Sequence, residues 1–473
     1  MTQSEIGLIG LGTMGAMLAL NIAEKGFPIA VWNRTTEVTH RFAQSAGDLA
    51  PRITPTDTLK DLVAALKPPR AIILMVPAGK AVDDQIAALT PLLDAGDMII
   101  DAGNANFRDT NRRAKNASHG GPRFLGIGVS GGEEGARHGP SIMGGGRLED
   151  WNRVSHILEA IAAKYHGTPC ATLMGEAGAG HFVKAVHNGI EYADMQMIAE
   201  VYGVMRDGMA MPAPAISAVL EGWNKGPLQS YLIEISAAVT AVTDAKTGQP
   251  IVDIILDRAG QKGTGRWTVI EAQHLSAPIP VIEAAVMARN TSARLDERIK
   301  GEAHFGAAPQ ALPAGTLTID DLESAMIAGK ILCYAQGFAL ITAASGEFGW
   351  SLPLPEIAKV WREGCIIRSS MLNDMATALA EDPGRNLMLA PFFADHLETS
   401  HNALRKVVAH AALSGLPVPA LAAGLAWFDM MRTQRSTANM IQAQRDFFGA
   451  HGFERTDGGS DHHGPWALQG GQA

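Results

Sequence analysis

The hydrophobic positions of this chain fall into two regimes. Up to about residue 175, short continuous apolar runs alternate with helical patterns, the signature of βαβ units. The runs IGLIG (6–10), FPIAVW (27–32), AIILMV (71–76), MIID (98–101) and FLGIGV (124–129) suit buried parallel strands. Helical patterns lie between them, as at 13–25 and 82–93. Beyond about residue 178 the strand signal fades, and long helical periodicities punctuated by MPAPA and LPLPE take over. The pattern predicts an α/β domain over 1–178 and a larger all-helical domain over 179–438. A last amphipathic helix, TANMIQAQRDFFGAH, and an extended Gly- and His-containing tail complete 439–473. That tail is too poor in apolar residues to build a core of its own.

The helical region carries a weak internal duplication. Segments starting at Tyr192 and at Tyr334 both run Tyr-Ala, a long helix, an apolar-Pro-x-Pro turn, then an Ile-containing helix. GHFVKAVHNGIEYADM (180–195) enters the first of them. As a helix it places Lys184, His187, Asn188 and Glu191 within an arc of about 100°. Phe182, Val183, Val186, Ile190, Ala193 and Met197 lie opposite. Such a polar stripe is ordinarily a solvent face. The second repeat has Met326, Gly329, Lys330 and Cys333 at those positions, so a helix in this role does not require the stripe. Lys184 and Glu191 differ by about 20° in azimuth and about 10 Å in height. Two titratable groups so placed can flank one small substrate, as acid/base chemistry needs.

Composition narrows the classes. With 47% hydrophobic and 18% charged residues the 473-residue chain has a globular balance. A net charge of −9 argues against nucleic acid or an acidic membrane surface, so an anionic ligand must be met by a local Arg/Lys cluster. Cys170, Cys333 and Cys365 are far apart and lack metal spacing, which reads as buried reduced thiols in a cytoplasmic protein. No signal-peptide pattern opens the chain, and no apolar run reaches the ~18 residues of a membrane span. His462-His463 lacks a third ligand at a workable spacing, so the tail is read as solvated or packing and no metal is expected.

GLIGLGTMG supplies Gly10-Leu11-Gly12-Thr13-Met14-Gly15 between the first strand pattern and the first helix. This is the G-x-G-x-x-G dinucleotide fingerprint in its required context, and the α/β domain is accordingly Rossmann-like. At the end of the second strand pattern stands Asn33-Arg34-Thr35 where an NAD enzyme would carry Asp or Glu. A guanidinium beside a hydroxyl suits a 2′-phosphate, so NADP is favoured, with Glu37 opposing it. Ser130-Gly131-Gly132 sits beyond a strand's carboxyl end, where doubly wound sheets bind ligands, though Ser-Gly-Gly is more often a plain turn. AGQKGTGRW (259–267) lacks P-loop spacing but leaves Lys262 and Thr264 as a candidate phosphate clamp. By pattern alone Arg289, Arg445 and His451 read as surface residues with apolar stems along the protein.

Together GLIGLGTMG, WNRT, DAGN, GVSGGEEGA, GPSIM, GHFVKAVHNGIEYADMQ, AGQKGTGRWT, LDERI, GCIIRS and IQAQRDFFGAH resemble the 6-phosphogluconate dehydrogenase family over nearly the whole chain. The resemblance implies oxidative decarboxylation of 6-phosphogluconate to ribulose 5-phosphate, in the pentose phosphate pathway. It implies Lys184 as general base and Glu191 as general acid. His187, Asn188, Ser130, Gly131 and Gly132 become sugar-acid ligands, and Tyr192, Lys262, Thr264 and Arg289 phosphate ligands. Asn104 falls between nicotinamide and substrate, and Val76, Pro77 and Ala78 join the cofactor contacts. Arg445 and His451 become residues inserted into a partner's site, making a homodimer the expected unit. The chain departs from the family at Pro77, Ala102, Ala105 and Val38, the last where a Lys usually faces the 2′-phosphate. These departures leave NAD use open beside NADP. The competing expectations are a shorter β-hydroxyacid dehydrogenase of 3-hydroxyisobutyrate or glyoxylate-reductase type, and a non-enzymatic dinucleotide-binding sensor.

Overall fold

The computed structural model describes residues 3–261 and 263–466. By internal contacts the chain forms two units, Met1–Gly424 and Leu425–Ala473. In the first, strands β1 (Ile6–Ile9), β2 (Ile29–Trp32), β3 (Ile53–Pro55), β4 (Ala71–Leu74), β5 (Met98–Asp101), β6 (Arg123–Val129) and β7 (Ile142–Gly145) join a later strand, β10 (Ala171–Gly175). The short pair β8 (Lys164–Tyr165) and β9 (Thr168–Pro169) forms its own antiparallel ribbon. The eight-stranded sheet runs β10-β7-β6-β5-β4-β1-β2-β3. All its pairings are parallel except β6 with β7. Strand order reverses at β1, between β4 and β2, which is where open parallel sheets leave a crevice for a ligand.

Helices α1 (Thr13–Glu24), α2 (Thr36–Ser45), α3 (Leu59–Ala65), α4 (Lys80–Leu89), α5 (Phe107–Ala117), α6 (Gly132–His138) and α7 (Leu148–Ile161) alternate with the strands. Burial on both faces explains the continuous apolar runs: Leu8 belongs to one apolar cluster with Leu18, Ile22 and Trp151, whereas the next residue, Ile9, belongs to another with Leu62, Val82 and Leu89. All five expected strands are present, ending up to two residues earlier than their apolar runs. Three strands of the eight-stranded sheet, β3, β7 and β10, had no comparable signal. β3 ends in proline, and the glycines of β7 dilute its apolar pattern. Those glycines are needed: a Cβ on Gly144 would strike the Trp151 ring, and one on Gly145 would lie 2.6 Å from the Gly180 amide.

The rest is helical. α8 (Ala179–Gly203) leads to α9 (Ala213–Trp223), α10 (Tyr231–Ala241), α11 (Ile251–Ile254), α12 (Thr264–His274), α13 (Pro280–Ser292) and α14 (Leu295–Phe305). α15 (Ile319–Phe348) leads to α16 (Leu354–Val360), α17 (Met371–Glu381), α18 (Pro391–Leu413), α19 (Pro419–Met431) and α20 (Ala438–Gly449). The duplicated pattern corresponds to real elements: α9 and α16 each follow a long helix and begin at Pro212 or Pro353 with a second proline in the first turn. α15 is long and apolar enough to cross a membrane by composition, contrary to the count of apolar runs. In the fold 83% of that window is buried, packed on α8 and α18, so its apolarity is spent on core.

α8 corrects the amphipathic reading. Every residue from Ala179 to Ile190 is buried, Lys184, His187 and Asn188 of the polar stripe included, and Glu191 is half-buried. The helix packs at once on β6, β7, α12, α13 and α15, so it has no solvent face along that stretch. In the second unit, Asp446 on α20 is fully buried. It accepts from the Gly452 and Gly464 amides at 3.0 and 2.9 Å and from the Trp466 indole at 3.0 Å, with His463 Nδ1 at 2.6 Å. The tail is therefore organised around one carboxylate, and His463 is part of that packing.

Candidate active site

The Gly-rich loop has the shape the fingerprint requires. Gly10 adopts φ +99°, and a Cβ there would meet the Met75 carbonyl oxygen. Gly15 packs on the Gly10 carbonyl, while Gly12 faces open space. A dinucleotide phosphate can approach the bare backbone at Gly12 and the N-terminus of α1, where Thr13 is exposed, Met14 half-buried and the first amides lack a side-chain cap. Asn33 ties this loop to the second strand, its Oδ1 accepting from the Leu11 amide at 3.1 Å and its own amide donating to Thr39 Oγ1 at 3.0 Å. Arg34 and Thr35 stand exposed just beyond, as do Pro77, Ala78 and Asn104 past β4 and β5, with Val76 half-buried. The expected cofactor residues thus share the carboxyl edge of the sheet, and the chemistry of the edge fits a dinucleotide.

Lys184 projects from α8 against β6, so close that a Cβ on Gly128 would collide with its own Cβ. Its Nζ donates to the Ser130 hydroxyl at 2.9 Å and to Asn188 Oδ1 at 2.8 Å, and lies 3.4 Å from His187 Nδ1. His187 Nε2 is 3.4 Å from the same Ser130 hydroxyl. Asn188 donates to Thr264 Oγ1 at 2.9 Å, joining α8 to the first residue of α12. Glu191 lies on the next turn, 3.8 Å from His187. Gly131, at φ +108°, and Gly132 carry the chain from β6 into α6 beside Ser130.

Burial dominates the electrostatics. It lowers the Lys184 ammonium pKa, partly offset by the negative charge of Glu191. Burial, then the nearby Lys184, pushes His187 well below its ordinary value, so its ring is neutral. Burial raises Glu191, opposed by the cations of Lys184 and Arg289. The ammonium and the carboxyl pKa values are thus moved toward each other, an arrangement that suits acid/base chemistry.

Arg289 is no idle surface cation: its guanidinium lies 3.5 Å over the Tyr192 ring and donates to the Gly260 carbonyl at 3.1 Å. Tyr192, Thr264 and Arg289 are therefore neighbours of α8, α12 and α13, and Lys262 lies outside the described residues. Arg445 and His451 belong to the second unit, where both are exposed and Arg445 donates to Gln442 Oε1 at 3.2 Å. Cys365, read from sequence only as a buried thiol, sits in the field of Lys184, its own thiol pushed up to about 12 chiefly by burial. No sequence signal marks that proximity.

Two family descriptions match the chain: the NAD binding domain of 6-phosphogluconate dehydrogenase over residues 5–175, and the C-terminal domain of the same enzyme over 180–466. An NADP-dependent decarboxylating 6-phosphogluconate dehydrogenase of Bacillus subtilis is 45% identical over 98% of this chain and 100% of its own. An NAD-dependent one from the same organism is also 45% identical, over 98% and 99%. The Plasmodium falciparum 6-phosphogluconate dehydrogenase, solved apo and with NADP+ and with 6-phosphogluconate, superposes with a TM-score of 0.94 at 41% identity, covering 98% of this chain and 100% of that one. With both halves of the chain matched in register and nearly all of each relative covered, the chain belongs to the 6-phosphogluconate dehydrogenase family.

Proposed function

We propose that this chain oxidatively decarboxylates 6-phospho-D-gluconate to D-ribulose 5-phosphate and CO2, the step its family performs in the pentose phosphate pathway, with NADP as the preferred oxidant. The supporting observation is the shell around Lys184: a buried amine whose hydrogen-bond neighbours, Ser130, His187 and Asn188, are all neutral. An amine so desolvated holds its proton weakly and can take one.

Neutral Lys184 removes the C3 hydroxyl proton. A dinucleotide held by the Gly10–Gly15 loop would supply the acceptor for the hydride that C3 gives up. The resulting β-keto acid loses its carboxylate as CO2, and the electron pair stays on C2. The ammonium of Lys184 donates to the C3 oxygen as negative charge gathers there. Glu191, whose hold on its proton burial strengthens, delivers that proton to the carbon that lost CO2, which becomes C1 of the product, while Lys184 recovers the enol proton. Ser130, Gly131, Gly132, Asn104, His187 and Asn188 orient the sugar acid. Tyr192, Lys262, Thr264 and Arg289 take its phosphate.

The working unit is a homodimer in which Arg445 and His451 reach the site of the second copy. Exposed Met440, Ile441, Phe447 and Phe448 on α20 support a role in contact with another chain. Three free buried thiols fit a cytoplasmic location. Incubated with NADP and 6-phosphogluconate, the purified protein forms NADPH and CO2 in equal amounts. Equal kcat/KM for unphosphorylated gluconate would overturn the phosphate assignment.

A further inference from the structure

Helix α5 touches no expected ligand, yet its side chains reach all three parts of the site. Arg113, about 3% exposed, donates to Asp83 Oδ1 at 2.8 Å and to the Gly79 carbonyl at 2.9 Å, and its Nη1 lies 3.3 Å from Asp101 Oδ2. Gly79 and Asp83 begin α4, directly after Val76-Pro77-Ala78. Asp101 ends β5, and its other oxygen accepts from the Gly103 amide at 3.1 Å, one residue before Asn104. One guanidinium therefore spans both loops that carry the nicotinamide-side contacts. Asn111 accepts from the Gly178 amide at 2.8 Å, and Thr110 Oγ1 lies 2.8 Å from His181 Nδ1, which ties α5 to the start of α8 one turn ahead of Lys184. Arg108 makes a two-pronged contact with Glu271 on α12, at 3.0 and 2.7 Å. Glu271 is two turns along the helix that begins at Thr264.

We propose that α5 holds the cofactor loops, the acid/base helix and the phosphate-end helix in register, with Arg113 the positioning residue for the dinucleotide and Arg108 the positioning residue for the substrate phosphate. This rests on the site assignment above. Neither residue touches a reactant; each acts through a backbone segment that does. A rigid fork is suited to this, because a guanidinium fixes direction as well as distance.

The two arginines act on opposite ends of the site, so their variants split in opposite directions. Arg113→Lys keeps the charge and loses the fork; KM for NADP rises about tenfold while KM for 6-phosphogluconate stays within about twofold. Arg108→Met keeps the stem over Phe107 and loses the contact with Glu271; KM for 6-phosphogluconate rises about fivefold to tenfold while KM for NADP stays within about twofold. Arg108→Lys recovers part of that loss. If Arg113→Lys does not fold, Asp83→Asn weakens the same clamp and is read in the same way. Parallel shifts in both KM values, or none in a variant of lowered Tm, would reduce α5 to a structural helix and overturn the proposal. If the wild-type protein does not turn over 6-phosphogluconate, that reading fails by itself. The dinucleotide half is then decided by NADPH binding to Arg113→Lys, followed by nicotinamide fluorescence: about tenfold weaker supports it, unchanged overturns it.

Discussion

Lys330 on α15 and Asp194 on α8 form an ion pair at 3.0 Å, with both side chains about 1% exposed. The pair crosses the contact between the two repeated long helices, three residues beyond Glu191. Removing one partner leaves a bare charge in the core. Asp194→Ala therefore destabilises by about 3–5 kcal/mol, whereas the double change Asp194→Leu with Lys330→Met regains most of it. Denaturant titration of the two variants checks the contrast, and equal losses in both would contradict it.

In the mechanism proposed above Lys184 and Glu191 share one proton in the form competent to start, which predicts a bell-shaped kcat/KM in pH. Low pH protonates Lys184, and high pH strips the last proton. Glu191→Gln has no such last proton to lose. Its residual activity rises with pH to a plateau and shows no alkaline decline. The acid limb remains, because Lys184 must still lose its proton and its neighbour is neutral on that limb in both proteins. Lys184→Met keeps its fold and dinucleotide affinity while turnover falls by about 10²–10⁴-fold. A pH–rate series on the three proteins tests these outcomes.

Glu200, on the same helix, is raised to about 7 by burial although it accepts from the Ala420 and Leu421 amides at 2.8 and 3.0 Å. The folded state binds this proton more tightly than the unfolded chain, whose carboxyl titrates near 4.5. Its contribution to stability is complete below about pH 4.5 and is lost as pH climbs to and through about 7. The wild-type Tm therefore carries a downward slope over that window that Glu200→Gln lacks. Melting curves from pH 4 to 8 would show identical slopes if the carboxyl were inert.

Arg34 is exposed beyond β2, with no ion pair among the described residues, and Glu37 stands three residues on. Relatives at the same 45% identity include both NADP and NAD enzymes, so overall likeness does not set the preference. A charged hydrogen bond to the 2′-phosphate contributes about 1.5–3 kcal/mol, so Arg34→Ala lowers kcat/KM with NADP by roughly 10- to 100-fold and leaves NAD nearly unchanged. A comparable fall with both cofactors would remove Arg34 from discrimination.

The nucleotide half was the more legible part of the chain. Its signals are local: a strand, a Gly turn and a helix start lie within Ile6–Gly15, and the turn works through the backbone. The helical half was harder because its decisive facts concern distant partners. Lys184, Asn188 and Thr264 meet only once the chain between the last two, which stand 76 positions apart, has folded. Periodicity alone turned the α8 stripe toward water, since a helix packed on five neighbours has the same residue spacing as one half-exposed. Family motifs, not periodicity, supplied the roles expected of these residues. Arg113, Arg108 and Glu200 had no signal at all, because a buried charge announces itself only through the groups around it.

Asp446 gathers its donors from far down the chain, the Gly464 amide and Trp466 indole lying 18 and 20 residues on. Held first of all by the Gly464 amide, its carboxyl is pushed down to about 2, so no physiological acidity unties the knot. The vulnerable point is instead the chain end. Proteolytic trimming that stops short of His451 but takes Gly464 and Trp466 spares every expected ligand and still strips two of the four partners from the Asp446 carboxylate, so these two residues serve as a seal on the enzyme's integrity.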